Sequence, residues 1–344
     1  MSLKSLSFLF FLFLVTSHVH AKSEGELAAG MVNPGHEEHP AWFKTSFLDL
    51  FEDIEEAADN DKRLMIYYYQ DGCPYCKKLL ENFSQKELAD KAQKYFDVVA
   101  INLWGDKTVT VGDRTYTEKK FAEALKVQYT PTILFFNEKN KIIFRANGYY
   151  PIDKFSALLD YIGKKQEAKI RYQDYIEKVN PQNSTGKLHD DINSVISSAD
   201  LTQSNKSGVK PLLVMFEQKK CNTCDELHLD ILKRKESIEL LSRFNVVVFD
   251  MWSSDEVITP SGKKIKIRDW VKKLNIKYTP SLLFFDKKGK EIFRSDAYLK
   301  AFHTQSVLDY VSSGAYKTQS NFQRYVDKRA DHLREQGVGV NLMD

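Results

Sequence analysis

At 344 residues the chain exceeds the roughly 100–200 residues of a typical domain, and its 42% hydrophobic content is ordinary for a globular protein. A formal net charge of +3 on a chain that is 28% charged is too mild and too interspersed to form a nucleic-acid footprint, so no nucleic-acid partner is expected. Two domains of comparable size are expected instead.

The N-terminus reads Met1-Ser-Leu-Lys4, then an apolar run from Phe8 to Val15, then small or aliphatic residues at Val19 and Ala21. That is the pattern of a secretory signal peptide over residues 1–21, cleaved after Ala21. The run is far short of the roughly 20 residues a membrane span needs. No cysteine follows the cleavage point to carry a lipid, so the mature chain is expected to be exported, periplasmic in a Gram-negative bacterium, and without stable membrane insertion. His36-Glu37-Glu38-His39 offers metal-ligating side chains, but it lies in a polar leader bearing Pro and Gly and is expected to bind nothing.

From there the chain repeats itself, and such internal repeats decide the architecture. A helical stretch over Phe47–Ala58 precedes the apolar strand Arg63–Gln70, and one over Leu188–Ile196 precedes Pro211–Glu217. Both strands are rich in β-branched or aromatic residues and stop just before a cysteine pair. The pairs are Cys73-Pro74-Tyr75-Cys76 and Cys221-Asn222-Thr223-Cys224, and the chain has no other cysteine. Each opens a helix (Lys77–Phe83, Asp225–Leu232) and is followed by a strand (Phe96–Leu103, Phe244–Met251) that ends on Trp104 or Trp252.

A shared insertion comes next. Thr108–Val111 and Arg114–Thr117 flank Gly112-Asp113, a two-residue hairpin signal, and Glu256–Thr259 with Lys264–Ile267 flank a longer turn. Helices over Lys119–Val127 and Ile267–Ile276 lead to Tyr129-Thr130-Pro131 and Tyr278-Thr279-Pro280. Strands Thr132–Phe136 and Ser281–Phe285 then turn back as Ile142–Arg145 and Glu291–Arg294. Each copy closes in helical sequence, around Tyr172-Gln-Asp-Tyr175 or Phe322-Gln-Arg-Tyr325. The repeating unit is α-β-α-β-α-β-β-α, with crossover units giving parallel pairs and the last tight turn an antiparallel one. Asn180–Gly186 reads as the linker. The domains are set at 38–178 and 187–330, with a C-terminal tail at 331–344, and the charged amphipathic helix over Phe322–Gln336 is expected to pack on the second domain.

A strand, a CxxC at the head of a helix and a later Thr-Pro before a β-hairpin together resemble the thioredoxin fold. The hairpin insertion and the aromatic-Gln-x-Tyr ending are similar to the periplasmic SoxW-like thioredoxin family, here in tandem. The expected fold class is therefore α/β: two tandem thioredoxin-fold domains, each a mixed sheet flanked by helices. The resemblance implies that Pro131 and Pro280 are cis, which exposes the backbone of Thr130 and Thr279 to an extended substrate peptide and leaves a metal no room beside the sulfurs.

The residues supply the chemistry independently. A helix N-terminus favours negative charge, so the first sulfur of each pair, Cys73 and Cys221, is the expected nucleophile. Cys76 and Cys224, two residues on, resolve the mixed disulfide. Pro74 pre-sets the first turn and loses only an N–H without a helical partner. Tyr75 is expected exposed beside the reacting sulfur. Lys219 and Lys220 favour a thiolate at Cys221, and Asp225 opposes it. A zinc site would need the two pairs to meet, and haem attachment needs a histidine where Lys77 and Asp225 stand.

Departures from the family pattern are equally clear. Tyr67 and Met215 occupy the position of the buried acid six residues before the first cysteine. Asn222-Thr223 matches no common subgroup, and Ala297 or a neighbour stands where the first copy has Gly148. His189, His228, His303 and His332 are assigned no role. The expected activity is thiol-disulfide exchange, most simply reduction of disulfides in proteins or small thiols, with isomerase or oxidase action, or a second domain serving only as a binding module, as alternatives. No nucleotide or flavin cofactor is expected. A membrane or periplasmic thiol protein is the implied electron donor.

Overall fold

The computed structural model describes residue 36 and residues 38–181, 183–189, 192, 199–202, 210–297 and 299–340. The signal-peptide reading at 1–21 and most of the helix expected over 188–196 lie outside these residues.

The first repeat runs α1 (Leu50–Asp59), β1 (Arg63–Tyr69), α2 (Pro74–Phe83), α3 (Lys86–Tyr95), β2 (Phe96–Asn102), the hairpin β3 (Thr108–Val111) and β4 (Arg114–Thr117), α4 (Glu118–Ala124), β5 (Thr132–Phe136), β6 (Ile142–Asn147), α5 (Ile152–Gly163) and α6 (Tyr172–Val179). The second runs β7 (Leu212–Glu217), α7 (Asn222–Leu229), α8 (Lys235–Leu241), β8 (Asn245–Asp250), β9 (Glu256–Ile258), β10 (Lys264–Lys266), α9 (Ile267–Lys273), β11 (Ser281–Phe285), β12 (Glu291–Ser295), α10 (Ala301–Ser312) and α11 (Phe322–Glu335). Relative to the sequence reading, α3 and α8 are added after the CxxC helix, and α5 and α10 precede the closing helix. No helix among the described residues is long and apolar enough to cross a membrane.

Each domain is built on a four-stranded mixed sheet, β2-β1-β5-β6 in the first and β8-β7-β11-β12 in the second. The central strands pair in parallel with β2 or β8 and antiparallel with β5 or β11. Because strand side chains alternate between faces, β1 sends Met65 and Tyr67 into one core with α2, α3 and α5, and Leu64, Ile66 and Tyr68 into another with α1 and α4. β7 divides likewise, Leu213 and Met215 against Leu212, Val214 and Phe216. Such two-sided burial explains why both strands read as unbroken apolar runs.

The domains face each other, and each sends aromatic and arginine side chains onto the other. Tyr129 of the first domain packs in the second domain's core against Phe322, ring centroids 6.3 Å apart, and Tyr278 of the second packs against Tyr150, 6.2 Å apart. Arg171, just before α6, stacks on Trp252 at 3.9 Å, and Arg324 of α11 stacks on Trp104 at 4.6 Å. Edge strands β6 and β12 flank a cavity of about 700 Å³ between the domains, lined by the equivalent pairs Tyr129 and Tyr278, and Arg145 and Arg294. The helices closing each domain thus pack on their own domain and reach the other one.

Candidate active site

Each cysteine pair sits where a central strand hands over to a helix. Cys73 and Cys221 are the N-caps of α2 and α7, in extended conformation, and each sulfur accepts the N–H of the second cysteine at 3.1 Å. That N–H has no partner inside the helix, and the helix dipole adds positive potential at the same point. The first sulfur of each pair is therefore the one placed for stabilisation as a thiolate. Both pairs are closed as disulfides, with S–S distances of 2.17 and 2.05 Å.

Thr130-Pro131 and Thr279-Pro280 are cis, as the resemblance implied, and both lie beside the sulfurs. Thr130 Oγ1 is 3.3 Å from Cys73 Sγ, and Thr279 Oγ1 is 3.7 Å from Cys221 Sγ. The Cys, Thr and Pro residues expected to act together are thus brought together, once in each domain. Tyr67 takes the place of a buried acid behind the first pair, its hydroxyl 3.5 Å from the carbonyl of Cys76, and Met215 lies in the second core. Gly148 turns at φ +74° and donates its N–H to Pro131 O at 2.9 Å, and Ala297 is buried at the corresponding corner.

Duplicated matches meet this duplicated geometry: the thioredoxin-like domain matches residues 50–163 and again residues 198–312, more than half of the chain. The chain belongs to the thioredoxin-like domain family. Two CxxC dithiols on this tandem thioredoxin-like protein support thiol-disulfide oxidoreductase chemistry in general. A thioredoxin-fold protein from Helicobacter pylori is 25% identical to it, over 38% of this chain and 90% of that one, at a TM-score of 0.32. A thioredoxin from Thermus thermophilus is 19% identical, over 33% and 83%, at 0.28. A disulphide isomerase from Xylella fastidiosa Temecula1 is 15% identical, over 32% and 76%, at 0.24. No curated protein matches the tandem thioredoxin-like chain.

The two sites of the tandem differ in their surroundings. Tyr75 is not exposed as expected: it is half-buried, its ring 6.3 Å from that of Tyr149 and 5.2 Å from that of His303. His303 comes from α10 of the other domain, so a histidine assigned no role covers the first site. Burial, and secondarily the charge of Arg329, lower its pKa to about 4, which keeps it neutral near pH 7.

Beneath the second site lies a polar cluster that the sequence reading missed. His228, one helical turn after Cys224, meets Glu217 at 2.7 Å, and neither side chain is exposed. The His228 ring stacks on His189 with centroids 4.6 Å apart, and His189 meets Asp225 at 2.6 Å. Burial raises the pKa of Asp225, but hydrogen bonds from Thr185 and His189 outweigh it and leave the carboxyl below its usual value. Asp225 therefore opposes a thiolate with a charge already engaged by its own partners. The available signal was Glu217, an acid ending an otherwise apolar buried strand.

Of the lysines flanking the second pair, Lys220 is also engaged, and a lysine of the first domain reaches Asn222. Lys220 pairs with Glu177 of the first domain at 2.8 Å, and Lys154 of the first domain donates to Asn222 Oδ1 at 3.2 Å. In the leader, His36 pairs with Asp71 at 2.8 Å while His39 sits against Tyr69 with ring centroids 4.3 Å apart. The two leader histidines thus have separate partners.

Proposed function

We propose that this chain is an exported, periplasmic protein-disulfide reductase whose main catalytic pair is Cys73–Cys76. The observation that carries the reading is the placement of Cys73 Sγ: at a helix N-terminus, 3.1 Å from the Cys76 N–H, and 3.3 Å from Thr130 Oγ1 next to a cis proline. In the reduced form the Cys73 thiolate attacks a substrate disulfide. One substrate sulfur leaves as thiolate, and a mixed disulfide forms at Cys73. Cys76 then attacks Cys73 Sγ, releasing the second substrate sulfur and closing the disulfide. Two electrons have passed to the substrate, so the pair must be recharged by a thiol protein of the membrane or periplasm. This compartment rests on reading residues 1–21 as a signal peptide and on the resemblance to the SoxW-like group.

The testing experiment is reduction of insulin disulfides by the pre-reduced protein. Turnover is expected in the wild type and mostly lost in Cys73→Ser; unchanged turnover in that variant removes Cys73 from the mechanism. The reduction potential of each pair decides between reductase and isomerase or oxidase, because potentials of CxxC proteins span roughly −270 to −120 mV and set the direction of exchange.

A further inference from the structure

The second dithiol opens into a cavity that its own domain does not complete. Cys221, Asn222 and Thr223 form one side of a space of about 100 Å³, and Tyr149, Lys154, Tyr172 and Glu177 of the first domain form the other. Pockets that hold drug-sized ligands run to roughly 300–1,000 Å³, so this one has room for only part of a small molecule.

Two features set the site apart from one built for polypeptide. An extended peptide beside a cysteine pair is held through main-chain hydrogen bonds to a free strand or loop edge. At the second site the carbonyls on that edge are already used: Thr223 Oγ1 donates to Thr279 O at 3.0 Å, and Gln173 of the first domain donates to Lys277 O. Among the described residues the Thr130 carbonyl at the first site meets only Cys73 Sγ, at 3.6 Å, a sulfur without a proton in the disulfide. The second feature is charge. The cavity is lined by Lys154, Lys220 and Lys277 and by one acid, Glu177, which pairs with Lys220, while Asp153 and Glu226 act on Lys154 from outside the lining. Lys277 Nζ reaches only the Ile143 carbonyl, at 3.3 Å, and meets no carboxylate among the described residues. Burial lowers the pKa of both Lys154 and Lys277, consistent with cations held away from water.

We propose that the Cys221–Cys224 site exchanges with low-molecular-weight thiols and disulfides bearing a carboxylate, the first domain serving as the wall that admits them and turns away protein substrates. The inference rests on the redox reading above and adds a substrate class for the second pair. In the reduced protein, Cys221 thiolate attacks the small disulfide RSSR; the S–S bond breaks, RS⁻ leaves, and Cys221–SR forms. Cys224 then attacks Cys221 Sγ and expels the second RS⁻. Two electrons move from the dithiol to the small disulfide, which takes up the two protons as 2 RSH. Run backwards, the same steps let two small thiols reduce the pair.

The test uses the full chain with the first pair silenced (Cys73→Ser/Cys76→Ser) and the second pair pre-reduced. Three oxidants are offered: dithiodipropionate, a small dianionic disulfide; 2-hydroxyethyl disulfide, small and neutral; and insulin. Loss of free thiol at Cys221 and Cys224 is followed by alkylation and mass, with each rate divided by that of free dithiothreitol with the same oxidant. The dianion is expected to lead the neutral disulfide by about tenfold, the scale on which a charged cleft enriches its ligand, with insulin slowest. Lys277→Met is expected to remove most of that lead, read as the ratio of the two small-disulfide rates within the variant. Equal normalised rates for the two small disulfides overturn the carboxylate assignment, and oxidation fastest by insulin overturns the small-molecule assignment; in both cases the redox reading stands. A pair that stays reduced with all three overturns the inference and the redox role of the second site together, while insulin reduction through Cys73 in the otherwise unaltered protein tests the first site separately.

Discussion

His303 shows how much one buried side chain can report about this molecule. It lies on α10 between Phe302 of its own helix, Arg329 of α11 and Tyr75 of the other domain, and its Nδ1 has no hydrogen-bond partner among the described residues. Its folded pKa of about 4 lies below the ordinary 6.5, so the native state holds the neutral ring while the unfolded chain takes up a proton first. The stability this provides is complete above pH 6.5 and is lost as pH falls through that value towards 4. At about 1.36 kcal/mol per pKa unit the loss is on the order of 3 kcal/mol. Urea midpoints of the wild type should therefore drop between pH 7 and 4 more steeply than those of His303→Phe, and parallel pH profiles would show that the ring is not the titrating group. Glu217 and His228 make a second such case. Removing His228 alone, as His228→Leu, leaves a buried acid without its partner and should cost at least about 1–3 kcal/mol. Adding Glu217→Leu should restore part of that loss, since no orphaned acid remains, and a double-mutant cycle in urea measures the difference.

At the scale of elements, what the sequence made legible was local. β3 and β4 were placed by the Gly112-Asp113 turn, β5 and β11 as apolar runs just after Thr-Pro, and the CxxC helices by the cysteine pair at their head. α3 was missed because it is strongly polar and buries only Leu88, Ala89 and Ala92, too short a stripe to establish a period. α10 was missed for the opposite reason: Ala301 to Leu308 are all buried, including His303, Thr304, Gln305 and Ser306, so no polar face marks the helix. The turns after β5 and β11 show a local equivalence that packing breaks. Asn140 and Gly289 hold the same position at φ +57° and +75°, and the N–H of each donates to the carbonyl of the residue that opens the turn. Asparagine tolerates this conformation, which makes the two residues look exchangeable. A Cβ at Gly289, however, would lie 2.3 Å from Pro260 O, a backbone atom of the β9–β10 turn. Gly289→Asn should thus destabilise by about 1–3 kcal/mol through overpacking, whereas Asn140→Gly should cost under about 1 kcal/mol. Urea unfolding of the two variants checks the contrast, and similar losses would contradict it.

For the whole molecule, the decisive feature was invisible in either copy taken alone. Read as two successive domains, Arg171, Arg324, Trp104 and Trp252 are surface residues; in the structure they form two reciprocal stacks that hold each closing helix against the opposite domain. Cys73 and Cys221 are only 5% and 6% exposed, and Cys221 lines the cavity between the domains. Each exposed stack contributes about 0.5–1 kcal/mol, and the polar contacts of Glu177, Gln173 and Lys154 add to them. Removing both stacks with Arg171→Ala/Arg324→Ala should therefore loosen the clasp without unfolding either domain, since neither guanidinium belongs to a core. Reactivity of the reduced protein reads this directly. Iodoacetamide is small enough to enter the cavity at Cys221, while a maleimide carrying a long polyethylene glycol chain is not. The wild type is expected to favour the small reagent strongly at Cys221, and the double variant to raise the rate of the large reagent severalfold while leaving the small one nearly unchanged. If the interface governs access, insulin should also gain ground as an oxidant of the second pair in this variant. Unaltered rates for both the large reagent and insulin would mean that the arginine stacks do not hold the domains closed over the sulfurs.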